Sequence, residues 1–333
     1  MSRRGLRSHT LMNVEKKMKL GNLLLSGFVA VSLGLVAVGC NENPVTPGTT
    51  GNAPLPVSKV GANSLTPTSV ALQWTAPVDS GTITYRVAWL GDAAADSGSA
   101  TTSATTYTAT GLSSGKAYTF SVYAVRSGVS STVTTVRWAG AQRYGGTTSL
   151  RVYETASSNP SGFTIDAAGS PAAVSVKTGN PGSVQLALYT TGTGSNFIIG
   201  TGFSIVEYKN SDNFDQNTFI SDSIYAASSM DAWYSSSSID THIPTDGNLR
   251  AFTRADNTTL GEGFYVRTGV SGSYHYARVF IQNVGGALLQ GTSPNRYVDL
   301  VISYQNTPNL PYAKRVAGYP ETPGVAASHR ASN

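Results

Sequence analysis

One cysteine, Cys40, stands in a chain of 333 residues. A single thiol rules out an intrachain disulfide framework and any zinc site that needs a set of Cys ligands. An excess of basic over acidic residues is missing from most of the chain as well. The formal charge of +5 comes from the start, since residues 1–39 hold six of the 23 Lys and Arg but one of the 18 Asp and Glu. Residues 40–333 carry 17 residues of each sign and no basic patch. Nucleic acid is therefore excluded as a partner, because phosphate binding needs concentrated positive charge. No Gly-x-Ser-x-Gly elbow precedes a helical pattern, and Gly269-Val270-Ser271-Gly272-Ser273 has the wrong spacing. Gly192-Thr193-Gly194 and its neighbours are not succeeded by a helical pattern that would cradle phosphate. An EF-hand loop is absent, which leaves Asp212 and Asp215 as members of a solvated loop. With no catalytic constellation, the chain is expected to be non-enzymatic and to hold no resident cofactor.

Leu23 to Val38 is an apolar run broken by Ser26, Gly27, Ser32 and Gly34 and preceded by Lys16, Lys17 and Lys19. A basic start, a short apolar stretch and small residues at its end are the marks of a secretory signal. At sixteen residues it falls short of the roughly 20 that a bilayer span needs. The sequence Ala37-Val38-Gly39-Cys40 resembles the lipobox of bacterial lipoproteins. That resemblance implies cleavage before Cys40, acyl chains on that residue with the first attached through a thioether, and membrane lipid as a partner. Two or three chains hold stably where one does not, at ~0.8 kcal/mol per buried methylene. Asn41 at the next position implies delivery to the outer membrane or cell surface. Residues 1–39 are thus expected to be a signal peptide, and 40–53, rich in Pro, Gly, Thr and Asn, a flexible tether.

From about Leu55 the pattern has period two. Segments 69–75, 82–90, 105–112, 117–125 and 131–138 are short, rich in Val, Thr, Tyr and Trp, and separated by Gly, Ser, Pro and Asp. No segment keeps a 3.6-residue period, so the expected fold class is all-β, with a sandwich first. The stretch 111–125, Gly-Leu-Ser-Ser-Gly-Lys-Ala-Tyr-Thr-Phe-Ser-Val-Tyr-Ala-Val, resembles the E–F corner and F strand of fibronectin type III domains. On that resemblance residues 54–139 form the domain, Trp74 fills the space between its sheets, and Tyr118 bonds back across the corner. It implies a spacer or binding module. Residues 126–130, Arg-Ser-Gly-Val-Ser, lack the Arg-Gly-Asp triplet of adhesive members.

Residues 140–310 are expected to form a second, larger all-β domain, with strands near 149–154, 183–190, 203–208, 264–268, 274–282 and 297–305. A loop-rich stretch covers 209–260, and a tail rich in Pro, Ala and Ser covers 311–333. Phe264-Tyr265-Val266-Arg267-Thr268, the Gly-containing loop after it, Tyr276-Ala277-Arg278-Val279 and 297–305 resemble the C-terminal part of the HmuY-like family. These are all-β lipoproteins, some of which bind haem through paired histidines, so the resemblance implies haem as a candidate ligand. The two histidines of this region, His242 and His275, are the candidate haem ligands. In 274–282, His275, Ala277, Val279 and Ile281 share one face, and its apolar character makes it the expected core side. Tyr274, Tyr276, Arg278 and Phe280 share the other. Trp233 and Tyr234 are candidates to stack on a sugar ring, although a Trp more often packs inward. The expected function is a lipid-anchored binding module for a glycan or protein ligand, with contacts in 209–260 and 264–282. A haem carrier and an accessory protein or enzyme acting on extracellular polysaccharide are the alternatives.

Overall fold

A computed structural model describes residues 52–93, 95–145, 150–165, 170–178, 181–190, 196–201, 213–221, 225–236, 252–255, 259–310 and 314–315. The described part of the chain belongs to one compact unit that begins at Gly51. It is all-β apart from one 3-10 turn, Met230–Ala232. The signal segment, nearly all of the tether, Cys40 and the 203–208 strand lie outside the described residues.

The first eight strands build the sandwich. They are β1 (Ser58–Thr66), β2 (Ser69–Thr75), β3 (Thr84–Gly91), β4 (Ser97–Thr102), β5 (Thr106–Ala109), β6 (Ala117–Arg126), β7 (Val129–Ser130) and β8 (Thr134–Ala139). One sheet contains β1, β2 and β5; the other runs β4-β3-β6-β7, with β8 also on β6. Alternation along β6 sends Tyr118, Phe120, Val122 and Ala124 inward. Trp74 fills the inter-sheet space and meets Tyr85 edge-on at 5.3 Å. The Tyr118 hydroxyl accepts from the Ser113 backbone N–H at 2.7 Å, closing the corner as its sequence context implies.

Only Gly140 and Ala141 separate β8 from the next strand, β9 (Gln142–Tyr144). The second region continues with β10 (Leu150–Tyr153), β11 (Gly162–Thr164), β12 (Ala172–Val174), β13 (Leu186–Thr190) and β14 (Asn196–Gly200). After these come β15 (Phe219–Ile220), β16 (Tyr225–Ala227), β17 (Ser235–Ser236), β18 (Phe252–Ala255) and β19 (Gly261–Thr268). The last three are β20 (His275–Ile281), β21 (Tyr297–Gln305) and β22 (Lys314–Arg315). A seven-stranded sheet has the order β10-β21-β20-β19-β15, with β9 on β21 and β16 on β19. A five-stranded sheet, β12-β11-β13-β14-β18, covers one of its faces.

The seven-stranded sheet is buried on both faces. Phe264, Val266, Ala277, Val279, Ile281, Leu300 and Ile302 pack against Phe163, Leu186, Leu188, Phe197 and Ile199. On the other side Tyr265, Tyr276, Phe280 and Val301 join Trp233, Tyr225 and the sandwich residue Trp138 in a single apolar cluster. Alternation in 274–282 predicts one core face; here Tyr276, Arg278 and Phe280 are buried as completely as Ala277, Val279 and Ile281. The reason is position: a central strand covered by a layer on each side has no solvent face to keep polar. Part of the stretch expected to be loop-rich is likewise core, since Tyr225, Met230 and Trp233 are buried. Gly263 permits this packing, because a Cβ there would come within 2.4 Å of the Trp233 ring.

Polar groups lock the seam between sandwich and second region. The Asn63 amide on β1 donates to the Met230 and Asp231 carbonyls, each at 2.9 Å. Its oxygen accepts from Arg143 and Arg278, each at 3.0 Å. Two donors and two lone pairs are then all used, the full capacity of an amide side chain. Arg278, with no exposed surface, also donates to the Trp233 carbonyl and lies 4.1 Å from the centre of that indole. A second buried pair, Arg296–Glu154 at 2.7 Å, joins β10 to the start of β21, and Thr190 donates to the same carboxylate. Burial alone would raise the Glu154 carboxyl, but hydrogen bonds from Arg296 and Thr190 outweigh it and hold the group below its ordinary value.

Both locks can be tested by unfolding. Asn63→Ala strands a buried guanidinium and two carbonyls, so urea unfolding should show a loss of roughly 3 kcal/mol. Glu154→Gln should cost about 3–5 kcal/mol at neutral pH by leaving Arg296 uncompensated. The stabilisation from a depressed carboxyl is complete above the unfolded value of about 4.3 and is lost as pH falls through the folded value. Wild-type stability should therefore drop more between pH 5 and pH 2 than that of Glu154→Gln. Equal acid losses in the two proteins would refute this role.

Candidate functional site

A cavity of about 260 Å³ opens where the 3-10 turn, β9 and the far end of β20 meet. Its floor is apolar, made by Met230, Phe280 and Val301, each nearly fully buried. Its rim is polar, with Arg143, Asp231, Gln282 and Asn283 prominent. It draws residues from both segments that the sequence marks for ligand contact, 209–260 and 264–282, and adds Arg143, Asn283 and Val301.

Each rim group is held by the fold. Arg143 donates through Nε to the Ser64 carbonyl at 2.9 Å and through its terminal nitrogens to Asn63 and Asp231. A guanidinium has five N–H donors, so this grip leaves two to spare. Asp231 sits in the 3-10 turn, which Ser229 caps through its hydroxyl, accepting from Ala232 N–H at 3.3 Å. Its carboxylate meets Arg143 at 2.6 Å, yet the side chain keeps 73% of its surface exposed. Gln282 comes directly after β20 and is fixed by its backbone N–H to the Asp299 carbonyl at 2.9 Å. Asn283 accepts from Gly286 N–H at 3.0 Å.

Such a site binds by hydrogen bonding over an apolar floor. The rim charges pair with each other, so the cavity favours a neutral polar group over an ion. Small-molecule pockets usually run to about 300–1,000 Å³. A cavity of about 260 Å³ therefore takes one sugar residue or one side chain of a larger ligand. Among the described residues no three of His, Cys, Asp and Glu gather as a metal site would require.

The residues singled out by sequence do not converge here. Trp233 is 4% exposed; Tyr225 stacks on it at 5.7 Å, and the Arg278 guanidinium lies at 4.1 Å. Its ring faces serve the core. Tyr234, next along the chain, is half-buried, and desolvation together with nearby Asp231 raises its phenol above the ordinary value. It therefore remains a neutral hydrogen-bonding group at physiological pH. His275 begins β20, stacks on Tyr304 at 5.9 Å, and shares a 3.1 Å hydrogen bond between Nδ1 and the Tyr304 hydroxyl. It does not line the seam cavity. His242 and Cys40 lie outside the described residues. Of the two candidate haem ligands only His275 is among the described residues, and its ring packs on Tyr304. Asp215 is a turn group, with its oxygens accepting from Asn217 N–H at 3.1 Å and the Thr218 hydroxyl at 2.5 Å.

Sequence reasoning missed Arg143, Asp231 and Gln282. The nearest signal was local: Asp231 is two residues before Trp233, and Gln282 ends the 274–282 strand segment. Nothing along the chain announces that Arg143 meets them.

Among known proteins, the fibronectin type III domain family matches residues 55–153. The match thus continues past β8 into β9 and β10, which belong to the seven-stranded sheet. No curated protein matches the chain. Similar solved structures include the FN5 domain of Drosophila Lar, at 16% identity and a TM-score of 0.24, covering 26% of this chain and 97% of that one. The fn3 domain of human collagen alpha-1(XX) shares 20% identity at a TM-score of 0.24, covering 30% and 96%. That of human contactin 1 shares 14% at a TM-score of 0.27, covering 32% and 95%. This is an all-β chain that carries a fibronectin type III domain over residues 55–153 and a further β-rich region beyond it.

Proposed function

We propose that this protein is a cell-envelope binding module, held to a membrane by acyl chains on Cys40, whose ligand contact is the seam cavity. The cavity carries the reading. Its floor is pinned by two buried layers and its rim by Asn63 and the capped 3-10 turn, so the site is pre-organised. A fibronectin type III domain is commonly a binding or adhesion module, but a fold hosts many functions and the site must carry the argument. The ligand is the exposed end of a surface glycan, entering as one neutral sugar residue; a protein side chain is the competing occupant. The lone cysteine after a basic and apolar leader supports the anchor.

Gln282→Trp fills the cavity from its rim without touching the buried network. A glycan panel followed by calorimetry should show binding to wild type and at least a tenfold weaker Kd, about 1.4 kcal/mol, for the variant. Equal affinity in both would remove the cavity from the function. A Soret shift on haemin titration that His275→Ala abolishes would replace this reading with a haem carrier. Cys40→Ala should lose acylation by mass spectrometry, and membrane retention by that variant would point to an uncleaved anchor instead.

A further inference from the structure

The strand register gathers four segments at one pole of the sandwich. Ser58 pairs with Thr75, Gln73 with Thr106, Thr84 with Val125, and Val125 with Ser130. Residues 52–57, 76–83, 103–105 and 127–133 therefore cluster where β1 begins and β2 ends. Four of the eight large apolar side chains exposed among the described residues are here: Val78 at 96%, Leu55 at 57%, Val133 at 44% and Val129 at 36%.

The pole carries little charge, with Lys59, the second residue of β1, exposed at its edge. Its segments hold a single ionisable side chain, Asp79, which pairs with Arg126 at 2.8 Å. The same carboxylate accepts from the Leu55 backbone N–H at 2.8 Å, and Arg126 also donates to the Asn52 and Ser80 carbonyls. The Leu55 N–H and Arg126 hold the Asp79 carboxyl below its ordinary value, so the pair stays ionised and neutral overall. The opposite pole differs: its turns carry Asp92, Asp96 and Lys116.

These contacts also fix where the chain enters. Asn52 and Leu55 are bound at this pole, and Asn52 is twelve residues beyond Cys40. Twelve extended residues reach at most about 43 Å, at 3.3–3.6 Å each. An acyl anchor at Cys40 would keep the pole within that distance of the bilayer, and tethering raises its effective concentration there.

We infer that this pole rests on the lipid surface, with Val78, Leu55, Val129 and Val133 seated in the headgroup boundary. The inference rests on the acyl anchor proposed above. An apolar cap whose segments hold only the paired Asp79 does not depend on anionic lipid, so contact is driven mainly by burial of apolar side chains, with Lys59 at its edge among the headgroups. It orients the sandwich with its opposite pole outward.

The acylated cysteine leaves no other thiol, so Val78→Cys gives a unique attachment point on the full mature lipoprotein made in a bacterial host. Val78 is nearly fully exposed, and the substitution disturbs no packing. The protein, carrying an environment-sensitive dye there, is reconstituted into phosphatidylcholine vesicles with or without doxyl-labelled lipid. Val270→Cys, at an exposed position on the β19–β20 hairpin, is the control. The expected result is a blue-shifted emission quenched by doxyl lipid at position 78 and neither effect at 270. An acylated, vesicle-bound protein with position 78 as unquenched as 270 would overturn the orientation and leave the pole to solvent or a protein partner. Lack of acyl chains on Cys40 by mass spectrometry would overturn the anchor and this inference with it.

Discussion

The Arg278 guanidinium, buried without exposed surface between the sandwich and the second region, dictates how the two are joined. A buried cation is costly unless its donors are satisfied. Asn63 and the Trp233 carbonyl supply acceptors, and the Trp233 ring supplies a π face at 4.1 Å. Those partners come from separate parts of the chain. The sandwich, the 3-10 turn region and the central sheet must therefore be assembled together for the charge to be tolerated.

That requirement turns the fibronectin type III domain from a bead on a string into one wall of a larger body. Its apolar core runs without a break into Tyr265, Tyr276, Phe280 and Val301 of the seven-stranded sheet. The connection after β8 has two residues, too short for independent motion. The outer edge of β1, which would be open in an isolated sandwich, is covered by β17, with Ala62 opposite Ser235. Covering an edge strand removes unpaired backbone groups that would otherwise recruit another chain. The cavity lies beside this seam: its lining comes from β9, the 3-10 turn, the end of β20 and β21, and Asn63 of the sandwich holds Arg143 and the turn carbonyls at its rim.

Some of the architecture was legible because local chemistry decided it. Segments 69–75 and 297–305 place apolar residues at alternate positions, Val70, Leu72 and Trp74 in one and Val298, Leu300, Ile302 and Tyr304 in the other, and both are strands over those residues. Trp74 and Tyr118 act within the sandwich and take the places that the fibronectin type III resemblance implied. Strands such as β11, β12 and β16 were not legible: at three residues each they are too short to show a period, and pairing partners define them. Arg278 misleads for a related reason. An Arg between aromatics on alternate positions looks like a solvent face, and nothing local tells that another layer will cover it.

Composition and period were enough for the all-β class and for the placing of one cysteine after an apolar run, and the resemblance carried by 111–125 was enough for the presence of a fibronectin type III domain. They were not enough for the burial of both faces of β20 or for the cavity that Arg143, Asp231 and Gln282 share. Those belong to the folded chain in three dimensions. They depend on contacts between residues far apart in the chain, Asn63 and Arg278 above all, and such contacts leave no periodic trace in the sequence.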